Sequence, residues 1–312
     1  MVNKLILRVC VCVERSSNAK MEENMKKETL GKLFLLAAAL IWGSSFVVMK
    51  SAVDFITPFV LLFIRFTLST LFMSCLFFKK IKMIKKEDLL GGFCAGLALF
   101  SAFSIQTFGL RLTTPGKNAF LTAVPLLSLL LFRKKPEKSQ IYAALLCFIG
   151  VGFVSLDSSL NMNLGDVYTL MGGFLYAVHI IVCEKAMKNT SPIIITILQF
   201  AFAAVFSLGA SLLFEDLSLI TQINSSIYMH ILYLAFFATT LCYLFQNVGQ
   251  SWVNENIAAL LLSLESVFGV FFSILLKKET LTLQIVLGFI IIFLSVFVSE
   301  TKLSFLHKGE EK

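Results

Sequence analysis

The chain has 312 residues, of which 57% are hydrophobic and only 15% charged, with a net charge of +8 and a mean hydropathy of +0.85. A soluble domain carries nearer ~25% charged residues, so a globule with a water-facing surface does not fit this composition. The basic charge raises the question of a nucleic-acid partner, which the placement of the charges answers below.

Apolar runs recur along the whole chain, most of them about 20 residues long, enough to cross ~30 Å of hydrocarbon at 1.5 Å per residue. In chain order, spans are predicted at 30–50, 58–78, 89–110, 118–132, 140–156, 166–185, 192–214, 227–250, 256–276 and 284–299. Each unsatisfied peptide group in lipid costs several kcal/mol, so these runs must be helices. Their unbroken apolar stretches lack the alternation of a barrel strand. Ahead of the first span, residues 1–28 read as a cytoplasmic tail. Arg8 interrupts their short apolar run and no small-residue cleavage site follows, unlike a secretory signal. Met21 or Met25 would be a natural start, so the tail is expected to be dispensable. Residues 300–312 read as a cytoplasmic C-terminal tail.

The 27 Lys and Arg are unevenly spread. With the N-terminus inside, Lys50, Arg111, Lys117, Lys277 and Lys278 lie on the outer side and Arg65 lies within a span; all others fall in the tails and inner loops. Clusters at Lys79, Lys80, Lys82, Lys85 and Lys86 and at Arg133, Lys134, Lys135 and Lys138 dominate, while the outer loops 157–165 and 215–226 carry none. This is the positive-inside bias. It predicts a multi-pass plasma-membrane protein with both termini cytoplasmic, whose basic charge records topology rather than a nucleic-acid partner. The seven cysteines are single or lack a Cys-x-x-Cys spacing, so no disulfide, metal site or cofactor is expected.

The last five spans repeat the first five. Residue n placed beside n+134 aligns Trp42 with Tyr176, Pro58 with Pro192, Arg65 with Gln199 and Phe66 with Phe200. Six further residues bring Gln106 onto Gln246 and Gly109 onto Gly249, and four more bring Gln140 onto Gln284. An odd number of spans per repeat inverts the second copy in the bilayer. That is the plan of secondary transporters, whose sites lie between the halves near the midplane.

Several stretches carry a family resemblance. Leu40-Ile41-Trp42-Gly43-Ser44-Ser45-Phe46 in the first span, and Pro58 with Arg65-Phe66 in the second, resemble the opening motifs of the EamA family of the drug/metabolite transporter (DMT) superfamily. The junctions Gln106-Thr107-Phe108-Gly109-Leu110 with Thr113 to Ala119, Gln246 to Gln250 with Ser263 to Phe268, and Lys278-Glu279-Thr280-Leu281-Thr282 are similar to that family's as well. The resemblance covers roughly 30–299. It implies an all-α integral membrane fold of ten transmembrane helices in two inverted five-helix EamA repeats, at 29–156 and 165–299. It also implies a carrier function around a central cavity.

The motif residues suit such a cavity. Trp42 lies about 18 Å along the first span from Leu30, a depth that weakens the alternative of an interfacial anchor, and Gly43 lets a neighbour approach closely. Arg65 lies ~10 Å below Pro58; a guanidinium there must face protein or water, and Asp54 is a candidate partner. Its repeat mate Gln199 keeps a donor without the charge. Glu265 sits between apolar runs in the ninth span, a candidate proton carrier or contact for a substrate cation, with bonding to Ser263 or Ser266 as the plainer alternative. His179, opposite Ser45 in the repeat, is a second proton-handling candidate, with helix packing as its alternative. Gln106 and Gln246 form a repeat-related polar pair suited to uncharged contacts. The substrate path is thus expected to run past Trp42, Ser45, Arg65, Gln106, Tyr176, His179, Gln199, Gln246 and Glu265.

The fourth span departs from the pattern: 118–132 is four residues, or one helical turn, shorter than its mate, and Pro125 should kink it. Either residues 113–117 are drawn in to complete it, or the bilayer thins, or a deletion has impaired transport. No catalytic or ATP-binding motif occurs, so the chain reads as a non-enzymatic secondary carrier, expected to export small metabolites such as amino acids or drugs. Its partners would be that small-molecule substrate and the lipid bilayer, with proton coupling and a homodimer also admitted. The alternatives are a transport-impaired relative and a channel- or scramblase-type protein.

Overall fold

A computed structural model describes residues 2–131, 162–188, 190–216, 225–253, 255–278 and 282–301, with 142, 145, 146, 149, 150 and 153. The predicted span 140–156 lies largely outside the described residues. The helices are α1 (Val2–Val53), α2 (Pro58–Leu76), α3 (Phe78–Ile81), α4 (Lys86–Leu112), α5 (Pro115–Leu131), α6 (Leu164–Met187) and α7 (Pro192–Phe214). They continue with α8 (Ser225–Tyr233), a π-helical segment (Leu234–Leu241), α9 (Cys242–Trp252), α10 (Glu255–Leu275) and α11 (Leu283–Thr301). Six helices among the described residues are long and apolar enough to cross a membrane. Large apolar side chains such as Leu90, Leu213, Phe214 and Leu283 face outward, the inverse of a soluble surface and the arrangement that lipid requires.

The helix ends follow from local sequence. Pro58 and Pro192 open α2 and α7, where a missing N–H costs nothing and the fixed φ suits a first turn. Asn163 caps α6 by accepting from the Gly165 N–H. Asp88 in the first turn of α4 accepts from the Lys85 N–H at 2.8 Å. α1 already starts at Val2, well ahead of the predicted beginning of the first span.

α5 begins at Pro115 rather than at 118, and the chain stays helical through Pro125. The seventeen residues of α5 reach about 26 Å. Residues 115–117 therefore add to the helix of the fourth apolar run.

Packing alternates between the two sequence halves. α4 lies along α6 and α7, α1 along α10 and α9, α5 along α6 and α10, and α2 along α7 and the π segment. Under the repeat register, α4 with α6 exchanges into α9 with α1, and α5 with α6 into α10 with α1. Two close backbone approaches obey the same exchange. A Cβ on Gly31 would meet the Gly249 carbonyl at 3.3 Å, and one on Gly165 the Gly109 carbonyl at 2.9 Å. Gly31 aligns with Gly165 and Gly109 with Gly249, so both crossings need glycine for the same steric reason.

Polar pins fix the helix ends. Thr113 Oγ1 donates to Asp166 Oδ1 at one end of the α4–α6 pair, and Thr190 Oγ1 donates to Asp88 Oδ1 at the other, both at 2.6 Å. Glu215, at the end of α7, accepts from the Phe59 and Val60 N–H groups at 2.9 Å each. A carboxylate thereby satisfies two orphan donors at the positive end of α2. Glu215→Ala should destabilise the protein by about 1–2 kcal/mol, read as a lower thermal unfolding midpoint in detergent. An unchanged midpoint would show that water replaces this cap.

Candidate functional site

Six aromatic rings form a continuous chain through the interior. Tyr176 meets Phe103 edge-on at 5.2 Å, Phe103 meets Phe66 at 5.2 Å, and Phe66 stacks on Phe200 at 6.1 Å. Phe200 then meets Tyr243 edge-on at 5.3 Å, and Tyr243 meets Trp42 at 5.7 Å. These edge-to-face and stacked geometries are the favoured ones. The chain is its own mate under the repeat register, which exchanges Trp42 with Tyr176, Phe66 with Phe200 and, at 140, Phe103 with Tyr243.

Arg65 is seated on this chain, buried to 3% exposure. Its guanidinium carbon lies 4.6 Å from the centre of the Phe103 ring, a cation–π contact. Nε donates to Thr239 Oγ1 at 2.7 Å and Nη1 approaches Met49 Sδ at 3.7 Å. The expected partner Asp54 is instead exposed and faces Lys50 at 3.9 Å. No carboxylate pairs with Arg65 among the described residues. Glu265 is half-buried.

The π segment receives this cluster. Its wider turn lets Thr239 and Thr240 donate to the carbonyls of Leu234 and Ala235, five residues back. Three side chains from α1 and α2 reach it: Trp42 Nε1 donates to Ala238 O at 2.7 Å, Arg65 to Thr239, and Ser69 to Ala235 O at 3.0 Å. Such segments occur frequently at functional sites. Nothing in Leu234–Leu241 marks it in the sequence, because no Pro or Gly interrupts the run.

The other predicted residues separate into distinct settings. Tyr176 Oη donates to Gln106 Oε1 at 2.8 Å, and Gln106 Nε2 donates to Thr122 Oγ1 at 2.9 Å. Asn118 then donates to Thr169 Oγ1 at 2.7 Å, continuing a polar path toward the start of α6. Gln106 is thereby tied down, whereas its mate Gln246 is half-buried and makes no hydrogen bond among the described residues. His179 Nε2 lies 2.9 Å from Gln199 Oε1 and 3.1 Å from Cys183 Sγ, a compact buried cluster. Ser45 donates to the Trp42 carbonyl within its own helix, and its neighbour Ser44 bonds Tyr233 Oη at 2.6 Å. Sequence reading missed Phe103, Tyr243 and Thr239. The first two were accessible through the repeat register; Thr239 was not.

No group of His, Cys, Asp and Glu suited to a metal occurs among the described residues. Fold and interior together define a multi-pass helical membrane protein whose aromatic interior draws on both sequence halves. The EamA-like transporter family matches residues 29–156 and 163–301, and the chain belongs to that family. An uncharacterized transporter of Archaeoglobus fulgidus is 31% identical, covering 94% of this chain and 93% of its own. The uncharacterized transporter YetK of Bacillus subtilis is 28% identical over 88% of each chain. A protein of Salmonella typhimurium named a probable amino-acid metabolite efflux pump is 27% identical, covering 85% of this chain and 92% of its own. A solved crystal structure shares the fold at 14% identity, with a TM-score of 0.64 over 90% of this chain and 99% of that one.

Thr239→Val should remove the one hydroxyl that Arg65 Nε holds and leave a buried charged donor short, costing about 1–3 kcal/mol. Thr240→Val removes only a bond within its own helix. The thermal midpoint should therefore fall further for Thr239→Val; equal shifts would mean that Arg65 finds another partner.

Proposed function

We propose that this chain is a secondary carrier exporting small amino-acid-like metabolites across the plasma membrane. In this reading ten helices form two inverted five-helix repeats with both termini cytoplasmic, and access alternates around the interior aromatic chain. The observation that carries it is Arg65: a guanidinium buried on an aromatic ring with no carboxylate partner among the described residues. A buried cation without a counter-ion is costly, and an entering substrate carboxylate would supply that counter-ion. Glu265 would face the substrate ammonium, and the faces of Trp42, Phe103, Tyr176 and Tyr243 would receive its apolar part. Export is the direction named for the Salmonella typhimurium relative. The mirrored packing of the halves supports the inverted repeat.

Energy would come from a gradient, with Glu265 exchanging a proton as substrate leaves. The His179–Gln199–Cys183 cluster, satisfied within itself, would act as packing, with Gln246 lining the path.

Counterflow in proteoliposomes loaded with unlabelled amino acids tests the reading. One labelled amino acid should accumulate in the wild type, and Arg65→Gln and Glu265→Gln should each lower its flux at least about tenfold. Glu265→Gln should also lose any stimulation by an imposed pH gradient. Undiminished flux in Arg65→Gln would overturn the assignment of the substrate carboxylate.

A further inference from the structure

Five cations sit on the side predicted to be poor in positive charge: Lys50, Arg111, Lys117, Lys277 and Lys278. They come from four separate places in the sequence. The fold brings four of them, all except Lys277, to the wall of one cavity of about 330 Å³, completed by the α4–α5 turn and Asn163. We propose that this cavity is a second binding site, separate from the interior one, for a small anion bearing a phosphate or more than one carboxylate.

Among the described residues the charges are only partly compensated. Asp54 is the only acid among the described residues of the cavity wall, 3.9 Å from Lys50. Asp166 lies behind the wall, 3.9 Å from Lys117 and fully buried, with its other oxygen accepting from Thr113. Four cations against two carboxylates leave an excess of two positive charges. Repulsion acts within the group: the Lys50 ammonium is opposed by those of Lys278 and by Arg111. Like charges gathered from distant parts of a chain cost free energy, which an anion between them would offset.

The cavity is also held in shape. Lys50 Nζ donates to the carbonyls of Leu110 at 3.0 Å and Arg111 at 2.8 Å, tying the end of α1 to the end of α4. Asn163 Nδ2 donates to Leu112 O at 3.1 Å, tying α6 to the same turn. Arg111 and Lys278 are exposed and form no ion pair among the described residues, so their charges remain available to a ligand. A planar guanidinium among ammonium groups suits phosphate or carboxylate oxygens. The volume is at the low end of small-molecule sites, ~300–1,000 Å³, and fits a small metabolite or a single headgroup. Lys50 follows Trp42 by eight residues, roughly 12 Å along the helix, so this site is distinct from the aromatic chain. Its assignment to the outer face rests on the charge bias of the loops; the site itself does not.

The test uses the full chain in phosphatidylcholine nanodiscs, titrated with inorganic phosphate in a calorimeter against sodium chloride at matched ionic strength. Saturable phosphate binding, weakened at least about tenfold in the Arg111→Gln/Lys278→Gln double variant but unchanged in Lys277→Gln, supports a site for a soluble anion. The second arm adds phosphatidylglycerol to the nanodiscs. A rise in thermal midpoint with that lipid, lost in the same double variant and without binding of free phosphate, assigns the site to a lipid phosphodiester. If neither probe differs from chloride, or the double variant equals the wild type in both arms, the proposal is overturned. A wild-type unfolding profile for the double variant serves as the check that it folds.

Discussion

A guanidinium inside an apolar bundle has to be solvated by protein groups, and much of the interior is arranged around meeting that need. Arg65 cannot snorkel, since it is buried and points across the bundle to the π segment. It is accommodated by a ring face, a hydroxyl and a thioether, each a weaker partner than a carboxylate. The accommodation requires Phe103 to be flat beneath it, and Phe103 is held by Phe66 and Tyr176 on either side. It also requires Thr239 to be aimed at it, which the π segment achieves.

The aromatic chain and the glycine crossings express one design at two depths. Near the helix ends, glycine brings backbones together in mirrored pairs, Gly31 with Gly249 and Gly165 with Gly109. At the centre, mirrored rings meet at Phe66 and Phe200. The halves depart from symmetry where charge enters. Arg65 is a cation while Gln199 is an amide bonded to His179, and Gln106 is tied to Tyr176 and Thr122 while Gln246 is not. An apolar frame that repeats, carrying polar residues that do not, gives each half its own chemistry on shared geometry.

Most of the frame was legible in the chain. Apolar run length predicted the helices closely: α7 has the predicted bounds, and α4, α6 and α10 differ by a few residues at most. The register of the repeat picked out Trp42, Tyr176, Phe66 and Phe200, all four of which join the ring chain. The same register held Phe103 and Tyr243, which reach significance only once the helices pack. Partners were harder to read. Asp54 is close to Arg65 in sequence yet pairs with Lys50, because the direction a side chain faces around its helix decides what it can touch.

The sequence by itself determined that this is a helical membrane protein with an internal repeat, because hydrocarbon leaves the backbone no other way to satisfy its hydrogen bonds and because repeated residues are visible without a fold. Only the tertiary structure decided where the π segment lies, which side chains solvate Arg65, and that Lys50, Arg111, Lys117 and Lys278 share one cavity. The physical reason is common to all three. Each depends on contacts between residues from tens to nearly two hundred positions apart, such as Trp42 with Ala238 and Arg65 with Thr239, and these distances are set by helix packing rather than by local sequence.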